Sequence, residues 1–416
     1  MQNVKYGLDE LMEIIDVFDV PAETQSKIRD LLAQGKCDAG VFFRYYNPRS
    51  KTVQLEKEYA KVSGSKHVLA LNSGTSALIA SLVAAGIGPG DEVIVPAYTF
   101  FATASAVVIA KAIPVIAEID ETLTLSPESV EKLITPRTKA IMPVHMLGLP
   151  SQMDALMALA KKHNLLVIED AAQACGGTYH GKYLGSIGDF GCISLDAYKV
   201  IGCGEGGLLT AKDEWMFMRA QSYHDTAACW RPDRYAKERR EGELFCGENY
   251  RMGELSAAAA LAQLRKLDDI VRATRAAYFR LKESIKLPVG VKWVQPADPE
   301  GVCGYSLQML FDDTEHCYRA QQAGVIGGNA GDATRGVRNW HMAWHWEHII
   351  DQKTATSEGC PFTCPHAAQV PKYHVDSWPR SKDIIFRMGT IAVSNFQTED
   401  ELKQLADKIT KGLASC

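Results

Sequence analysis

Seven short apolar runs alternate with stretches of helical periodicity between residues 67 and 211. A strand, a helix and a second strand in this order require a crossover connection, which places the two strands in parallel. Helices then cover such a sheet on both faces. The sequence therefore predicts an α/β fold with a seven-stranded, mostly parallel sheet. The predicted strands are 67–71, 92–95, 114–118, 140–144, 165–169, 191–195 and 208–211.

The chain has 416 residues, enough for more than one domain. A large domain is predicted for residues 50–288, where the strand and helix patterns alternate. Its last part, residues 255–286, is a long charged amphipathic stretch that would lead out of the domain. Residues 289–416 are predicted to form a smaller α+β domain, and residues 1–49 to pack against it.

Charge and cysteine content restrict the partners and the compartment. The net charge of −5 and the pI near 6.1 give no reason to expect nucleic acid or an anionic membrane. No apolar run approaches the roughly 20 residues of a membrane helix, and residues 1–7 lack a signal-peptide core. Eleven cysteines, an odd number spread through the chain, fit reduced thiols better than a disulfide framework. We therefore expect a cytoplasmic protein.

Residues 72–75, with the sequence Asn-Ser-Gly-Thr, lie between the predicted strand 67–71 and the helical stretch 76–85. The first N–H groups of a helix have no partner within it and lie at the positive end of its dipole. A phosphate would therefore dock on Gly74 and Thr75. Taken alone, the pattern is also that of an ordinary Ser/Thr helix cap.

Lys199 lies five residues after Ser194, which ends an apolar run, and shortly before the Gly-Glu-Gly-Gly sequence of residues 204–207. Pyridoxal phosphate enzymes hold the aldehyde of their cofactor as a Schiff base on a lysine placed in this way. Taken alone, the pattern also describes a strand end followed by a tight turn.

Two further side chains follow predicted strands. Asp170 comes at the end of the run 165–169, where ligands of open α/β sheets bind. A carboxylate there would keep the pyridine nitrogen of the cofactor protonated, although Asp170 also fits a helix N-cap and Glu169 competes for the role. Phe100 follows the run 92–95 and would stack on the cofactor ring, although an isolated aromatic residue usually belongs to the core.

Together these motifs resemble the DegT/DnrJ/EryC1/StrS family of pyridoxal-phosphate-dependent sugar aminotransferases, over residues from about 40 to 270. Residues 86–93, 189–194 and 249–252 also meet the family pattern. The resemblance implies fold type I of the pyridoxal-phosphate-dependent transferases. It further implies a homodimer in which an Asn of one subunit, here Asn249, reaches the phosphate in the other. The cofactor-binding residues that it implies are Gly74, Thr75, Phe100, Asp170, Gln173, Ser194, Lys199 and Asn249, of which Lys199 and Asp170 are catalytic.

The function that the resemblance implies is the transfer of an amino group from glutamate or glutamine to a keto- or aldehyde-sugar, often nucleotide-linked, in amino-sugar biosynthesis. Phe43, Arg44 and Tyr45 resemble the opening of the branch that aminates an octulosonate at carbon 8. Three other functions stay open. They are sugar dehydration, in which a histidine replaces the lysine, cysteine desulfuration, for which Cys229 or Cys246 would serve, and a regulator that only retains the cofactor.

The chain departs from the family pattern in three places. Leu195 and Asp196 stand where the family usually has Phe and then His or Gln. The segment 224–247 is long and charged. The C-terminal third matches only loosely, so the resemblance does not identify the sugar. The charged segment includes Arg231, Arg234, Arg239 and Arg240.

A cluster of histidine, tryptophan and cysteine residues occupies positions 340–366. Imidazole and thiolate groups at these spacings would suit zinc. The tryptophans in the same segment favour an aromatic packing face with the histidines at its edge, or a place for one of them in the substrate pocket. We therefore expect no metal. The histidines and cysteines are His341, His345, His348, Cys360, Cys364 and His366, and the tryptophans are Trp340, Trp344 and Trp346.

Overall fold

A computed structural model describes residues 6–35, 42–44, 47–227, 235–328, 339–367 and 369–416. The predictions that concern Tyr45, Cys229, Arg231 and Arg234 fall outside these residues.

The seven predicted strands form one seven-stranded sheet in the described part of the chain, in the order β1-β9-β8-β5-β4-β2-β3, counting the strands along the chain. The last five strands in this order pair in parallel, and β9 is antiparallel to both of its neighbours. The predicted fold class is therefore confirmed. The strands are β1 (His67–Leu71), β2 (Glu92–Pro96), β3 (Ile113–Ala117), β4 (Thr138–Ile141), β5 (Leu166–Asp170), β8 (Phe190–Ser194) and β9 (Gly207–Ala211), with a small hairpin of β6 (Thr178–Tyr179) and β7 (Lys182–Tyr183) between β5 and β8.

Strand β1 has the predicted bounds, and the other six strands differ from the prediction by one to three residues at one or both ends. Strand β4 ends at Ile141 rather than at residue 144, because Pro143 has no N–H group to continue the ladder. The Pro143 carbonyl still accepts a hydrogen bond from the Asp170 N–H, at 2.8 Å. Strand β5 consequently ends at Asp170 itself, with its last backbone groups still paired to the neighbouring chain segment.

Helices connect the strands and continue into the C-terminal region. Helix α4 is almost entirely apolar, and nine of its eleven residues are buried, so it packs within the molecule rather than on its surface. The helices are α1 (Leu8–Asp16), α2 (Ala22–Ala33), α3 (Lys51–Ser63), α4 (Gly74–Ala84), α5 (Ala102–Ile109), α6 (Pro127–Leu133), α7 (Met153–His163), α8 (Glu214–His224), α9 (Glu254–Leu264), α10 (Leu267–Ser284), α11 (Thr314–Gln322), α12 (Glu347–Ile350), α13 (Pro379–Phe386) and α14 (Glu399–Ser415).

The amphipathic stretch 255–286 is two helices rather than one. Helix α9 ends at Leu264 and α10 begins at Leu267, with Arg265 and Lys266 between them. The apolar periodicity continues across this break, which is why the sequence did not show it. No helix in the described ranges is both long and apolar enough to cross a lipid bilayer.

A second, four-stranded antiparallel sheet has the order β10-β11-β13-β12. Its strands all follow residue 288, and those of the large sheet all precede it, although the predicted division into domains stays a prediction. Helices α1 and α2 pack on each other, with Arg29 Nη1 2.9 Å from Asp9 Oδ1, and the packing of residues 1–49 on the small domain stays a prediction. The strands are β10 (Val291–Trp293), β11 (Ser306–Phe311), β12 (Gly327–Gly328) and β13 (Met388–Ala392).

The start of α4 lies in direct contact with the end of β8 and the start of β9. A Cβ atom on Gly207 would lie 2.3 Å from the Ser73 carbonyl oxygen and 2.7 Å from the Gly74 nitrogen. A Cβ atom on Gly74 would lie 2.8 Å from the Ser194 Cβ. Gly207 is needed because backbone approaches backbone there, and Gly74 because the Cα and Cβ atoms of Ser194 leave no room for a side chain.

We expect Gly207→Ala to lower the free energy of unfolding by about 1–3 kcal/mol, because backbone atoms must move apart to admit the methyl group. Urea unfolding followed by circular dichroism measures this change. Gly253→Ala is the matched control, because a Cβ atom there meets nothing within 4 Å and the residue has an ordinary φ of −74°. Equal unfolding midpoints for the two variants would contradict this account of the contact.

Candidate active site

A cleft of about 280 Å³ opens where β2, β5 and β8 end and α4 begins. Such an edge is where parallel sheets bind ligands. Seven of the eight predicted site residues line this cleft, and Asn249 does not; their roles stay predictions. The seven residues are Gly74, Thr75, Phe100, Asp170, Gln173, Ser194 and Lys199.

The start of α4 has the donors that an anion needs. The Ser73 side chain caps the helix by accepting a hydrogen bond from the Ser76 N–H, at 3.0 Å. Within the described chain, the N–H groups of Gly74 and Thr75 have no hydrogen-bond partner. With the Ser194 hydroxyl beside Gly74, these groups form a cradle that fits a phosphate.

The Asp170 carboxylate is buried, with only 4% of the residue exposed, and lines the cleft. Burial raises its pKa, because it disfavours the charged form. Hydrogen bonds from the Thr103 hydroxyl, at 2.7 Å, and from the Ala172 N–H, at 3.1 Å, oppose this rise by stabilising the ionised form. An additional cation in the cleft would favour ionisation further.

The neighbouring Glu169 lies on the other face of β5, because successive side chains of a strand alternate. Its carboxylate accepts three backbone hydrogen bonds at 2.7–3.0 Å, from the N–H groups of Gly185, Ile187 and Gly188. His145 Nε2 lies 3.0 Å from the same carboxylate. Because His145 Nδ1 accepts a hydrogen bond from the Ser151 N–H at 3.1 Å, the proton of the neutral ring is on Nε2 and is donated to Glu169. Glu169 is therefore occupied by structural hydrogen bonds and does not line the cleft.

Lys199 is half-buried in the cleft, and its Nζ lies 3.5 Å from Asp196 Oδ2. The other oxygen of Asp196 accepts a hydrogen bond from the Tyr198 N–H at 2.7 Å, which fixes the carboxylate beside the lysine. Asp196 is one of the two departures from the family pattern in this segment. It thus adds a carboxylate to the site at a position where the family usually has a neutral or basic side chain.

His341 lies beside Phe100, with 5.4 Å between the ring centroids. The Thr99 N–H donates to the His341 carbonyl oxygen at 3.0 Å, which holds the two segments together. Burial, and then the charge of Lys199, lower the pKa of His341 below its usual value. The sequence left open a pocket role for one of the histidines in the cluster 340–366, and that role stays a prediction. His341 is placed nearest to it, because its ring contacts Phe100, which lines the cleft.

The other histidines of this cluster have different neighbours. His345 Nδ1 accepts a hydrogen bond from the Asn339 N–H at 2.9 Å. The ring of His348 packs against Phe101 and Trp340, at centroid distances of 5.7 and 5.8 Å. In the described ranges no group of three or more His, Cys, Asp or Glu side chains is arranged to hold a metal ion.

Asn249 is exposed and lies outside the cleft of its own chain. Its backbone bridges to Asp225, and its Oδ1 accepts a hydrogen bond from the Arg251 N–H at 3.4 Å. The adjacent Tyr250 carbonyl accepts a hydrogen bond from the Asn72 N–H at 2.8 Å. The segment therefore runs beside the phosphate cradle, with the Asn249 side chain at the surface.

A second cavity, of about 290 Å³, shares Gln173 and Lys199 with the cleft. The sequence did not reveal it, because its walls come from distant parts of the chain. The residues that line it are Gln173, Tyr198, Lys199, Val200, Ile270, Thr274, Cys303, Tyr305, Val393, Ser394 and Asn395.

Comparison with known proteins identifies the protein family of the chain. The sequence model of the DegT/DnrJ/EryC1/StrS aminotransferase family matches residues 38–318, and the chain belongs to this family. GDP-perosamine synthase of Caulobacter vibrioides is 44% identical over 227 residues, which are 53% of this chain and 58% of that protein. The chain thus spans little more than half the length of this curated relative in the match.

Solved structures of other proteins match the fold of this chain over a larger part of its length. An aminotransferase from Psychrobacter cryohalolentis is 28% identical, with a TM-score of 0.71 over 89% of this chain and 93% of that chain. DesV of S. venezuelae, solved in complex with a ketimine intermediate, is 27% identical, with a TM-score of 0.67 over 98% and 97% of the two chains. The C-terminal region beyond residue 318 therefore shares the fold although the family match ends there.

Proposed function

We propose that the chain is a pyridoxal-phosphate-dependent aminotransferase that moves an amino group from glutamate or glutamine to a keto- or aldehyde-sugar, often nucleotide-linked, in amino-sugar biosynthesis. One observation carries this proposal. The Lys199 amine and the Asp170 carboxylate lie in the same cleft as an anion cradle. The aminotransferase family supports the reaction, and the relative named GDP-perosamine synthase supports a sugar as the acceptor.

Each part of the cleft suits one part of the cofactor. Gly74, Thr75 and Ser194 would hold the phosphate, and Asp170 would pair with the protonated pyridine nitrogen. Phe100 and Gln173 would flank the ring. When bound, pyridoxal phosphate supplies an electron sink for the carbon whose C–H bond breaks.

Lys199 would hold the cofactor by its aldehyde in the resting state. With its amine free, Lys199 would take the proton from the α-carbon of the donor and later release it, acting first as a general base and then as a general acid. Asp196, 3.5 Å away, holds the amine in place between these steps. An intact lysine here disfavours sugar dehydration, in which a histidine replaces it.

We also propose the division into residues 1–49, a large domain of residues 50–288 and a small domain of residues 289–416. The assembly would be a homodimer with shared active sites, in which Asn249 of each chain reaches the phosphate of the other. The surface position of Asn249, beside the cradle of its own chain, supports a role across an interface rather than within one subunit.

Borohydride reduction in the presence of pyridoxal phosphate should label Lys199, because its amine is half-buried in the cleft beside the anion cradle. Peptide mass spectrometry locates the label. Lys199→Ala should lose the label. Lys212→Ala, which removes an exposed lysine just after β9, should keep it. A label on another lysine would refute the assignment.

The acceptor is tested with the pyridoxamine phosphate form of the protein and a panel of keto-sugars, free and nucleotide-linked. The absorbance of the aldehyde form should return with at least one keto-sugar, because the amino group leaves the cofactor. Tight cofactor binding without amine release to any acceptor would favour the regulator instead.

The two neighbouring carboxylates should have separable effects. Asp170→Ala should slow the reaction by about 10²-fold or more, because a preorganised electrostatic contact is lost. Glu169→Ala should lower the free energy of unfolding by about 3 kcal/mol or more, because three buried N–H groups lose their acceptor. Rate measurements and urea unfolding of both variants test this. An active Asp170→Ala protein together with a stable, inactive Glu169→Ala protein would reverse the assignment.

A mixed dimer tests the shared site. Lys199→Ala and Asn249→Glu homodimers should both be nearly inactive, the second because a carboxylate would face the phosphate. In a mixed dimer both lesions fall in one site, and the other site is intact. Because random exchange gives about half mixed dimers, activity should return to about a quarter of wild type. Exchange confirmed by native mass spectrometry without recovery would refute the role of Asn249.

A further inference from the structure

The second cavity meets the cofactor cleft at Gln173 and Lys199. Under the proposed function, the reacting amine is at Lys199, and the cofactor would fill the cleft between the anion cradle and Asp170. The acceptor of the amino group must then reach Lys199 from a side that the cofactor leaves open. The second cavity is such a side.

Tyr305 fixes the wall of this cavity relative to Lys199. Its hydroxyl donates a hydrogen bond to the Gln173 carbonyl oxygen at 2.9 Å. Its own carbonyl accepts one from the Val393 N–H, also at 2.9 Å. One residue therefore connects the edge of the large sheet to the loop that follows β13, and this loop contains Asn395.

The loop itself is held by hydrogen bonds that do not involve the Asn395 side chain. The Ser394 hydroxyl accepts a hydrogen bond from the Phe396 N–H at 3.2 Å. The Gln397 side chain accepts one from the Ser394 N–H at 3.0 Å. Asn395 is half-buried at the cavity wall, and its amide has no hydrogen-bond partner in the described ranges.

Other polar side chains of the wall already make hydrogen bonds. The Thr274 hydroxyl donates a hydrogen bond to the Ile270 carbonyl oxygen at 2.7 Å. The Tyr305 hydroxyl donates one to the Gln173 carbonyl oxygen. An amide offers two donors and one acceptor, which matches the hydroxyl groups of a sugar. Asn395 therefore has the polar capacity that a ligand in this cavity would use.

The charge and size of the cavity identify the kind of ligand. Apart from Lys199, the described residues that line it carry no charged side chain, whereas a dicarboxylate donor or a diphosphate requires cationic partners. Its volume of about 290 Å³ suits a single ring, since pockets for larger ligands occupy roughly 300–1,000 Å³. Apolar walls such as Ile270 and Val393 suit the C–H faces of a sugar.

We propose that the second cavity is the subsite for the acceptor sugar ring, and that Asn395 is a specificity-determining residue that hydrogen-bonds its hydroxyl groups. The nucleotide of a nucleotide-linked acceptor remains outside the cavity. This inference rests on the proposed function.

Binding is tested without turnover in the Lys199→Ala background, by calorimetric titration of the cofactor-loaded protein with GDP-perosamine, UDP-glucosamine and glucosamine. Addition of Asn395→Ala should weaken binding of the sugar that binds the parent by about 10-fold, the effect of one or two hydrogen bonds. Phe396→Ala is the matched control, because this neighbour is 87% exposed and lies outside the cavity. It should bind as the parent does.

Kinetics with Lys199 intact give the second measurement. Asn395→Ala should raise the KM for the acceptor while the half-reaction with glutamate and the affinity for pyridoxal phosphate stay unchanged. Asn395→Gln, which keeps the amide, should recover part of the loss. Unchanged sugar binding in Asn395→Ala, an equal loss in Phe396→Ala, or a loss confined to glutamate or the cofactor would overturn the proposal.

The outcomes separate the two proposals. Amine transfer by the wild type together with unchanged sugar binding in Asn395→Ala would overturn the subsite and leave the proposed function standing. Sugar binding that depends on Asn395, without transfer to any acceptor, would support the subsite and count against the proposed function. A parent protein that binds none of the three sugars would overturn the subsite.

Discussion

The buried carboxylate of Glu169 fixes strand β5 to the loop that leads into the start of β8. It accepts hydrogen bonds from the N–H groups of Gly185, Ile187 and Gly188, in the loop that leads into β8, and from His145. Without this acceptor, three backbone donors would be buried without partners, at a cost of about 1–3 kcal/mol each. The loop is thereby fixed to β5, and β8 begins at Phe190 in register with Ile168. Asp170 at the end of β5, and Ser194 and Lys199 at and after the end of β8, take their relative positions from this contact.

The positions of the strands were predictable from the sequence to within three residues, and so were the residues that line the cleft at their carboxyl ends. Each motif follows a short apolar run, and parallel strands place their carboxyl ends at one edge. Residues as far apart as Gly74 and Lys199 could thus be assigned to one cleft without any knowledge of their distances. The sequence left Asp170 and Glu169 as competitors because both lie at the strand end. The alternation of side chains across β5 separates their positions, since Asp170 lines the cleft and Glu169 does not.

Sequence patterns did not predict that His341 lies beside Phe100, or that Asn395 lies at the second cavity. Each reaches the site through a contact between distant segments, His341 through Thr99 and Asn395 through the Tyr305 link from Gln173 to Val393. Neither contact leaves a periodicity or a motif, because it depends on how the region after residue 288 packs on the large sheet. The break between α9 and α10 was also not predictable from the sequence, since two residues interrupt the helix without interrupting the apolar pattern. The predicted role of Asn249 is not visible in a single chain, because the phosphate that it is predicted to reach is bound by another subunit.

The two cavities differ in charge although they share Lys199. The cleft contains carboxylates from Asp170, Asp196 and Glu205, and the second cavity has neutral walls. A charged, phosphorylated cofactor would suit the first, because fixed carboxylates and helix N–H groups complement its ring and phosphate. A neutral sugar ring would suit the second, because desolvating it costs little when an amide replaces water. Lys199 lines both cavities, so under the proposed function the amino group would pass from the cofactor to the sugar beside it. The difference in charge between the cleft and the second cavity would therefore favour the cofactor in the first and the sugar in the second before any bond between them forms.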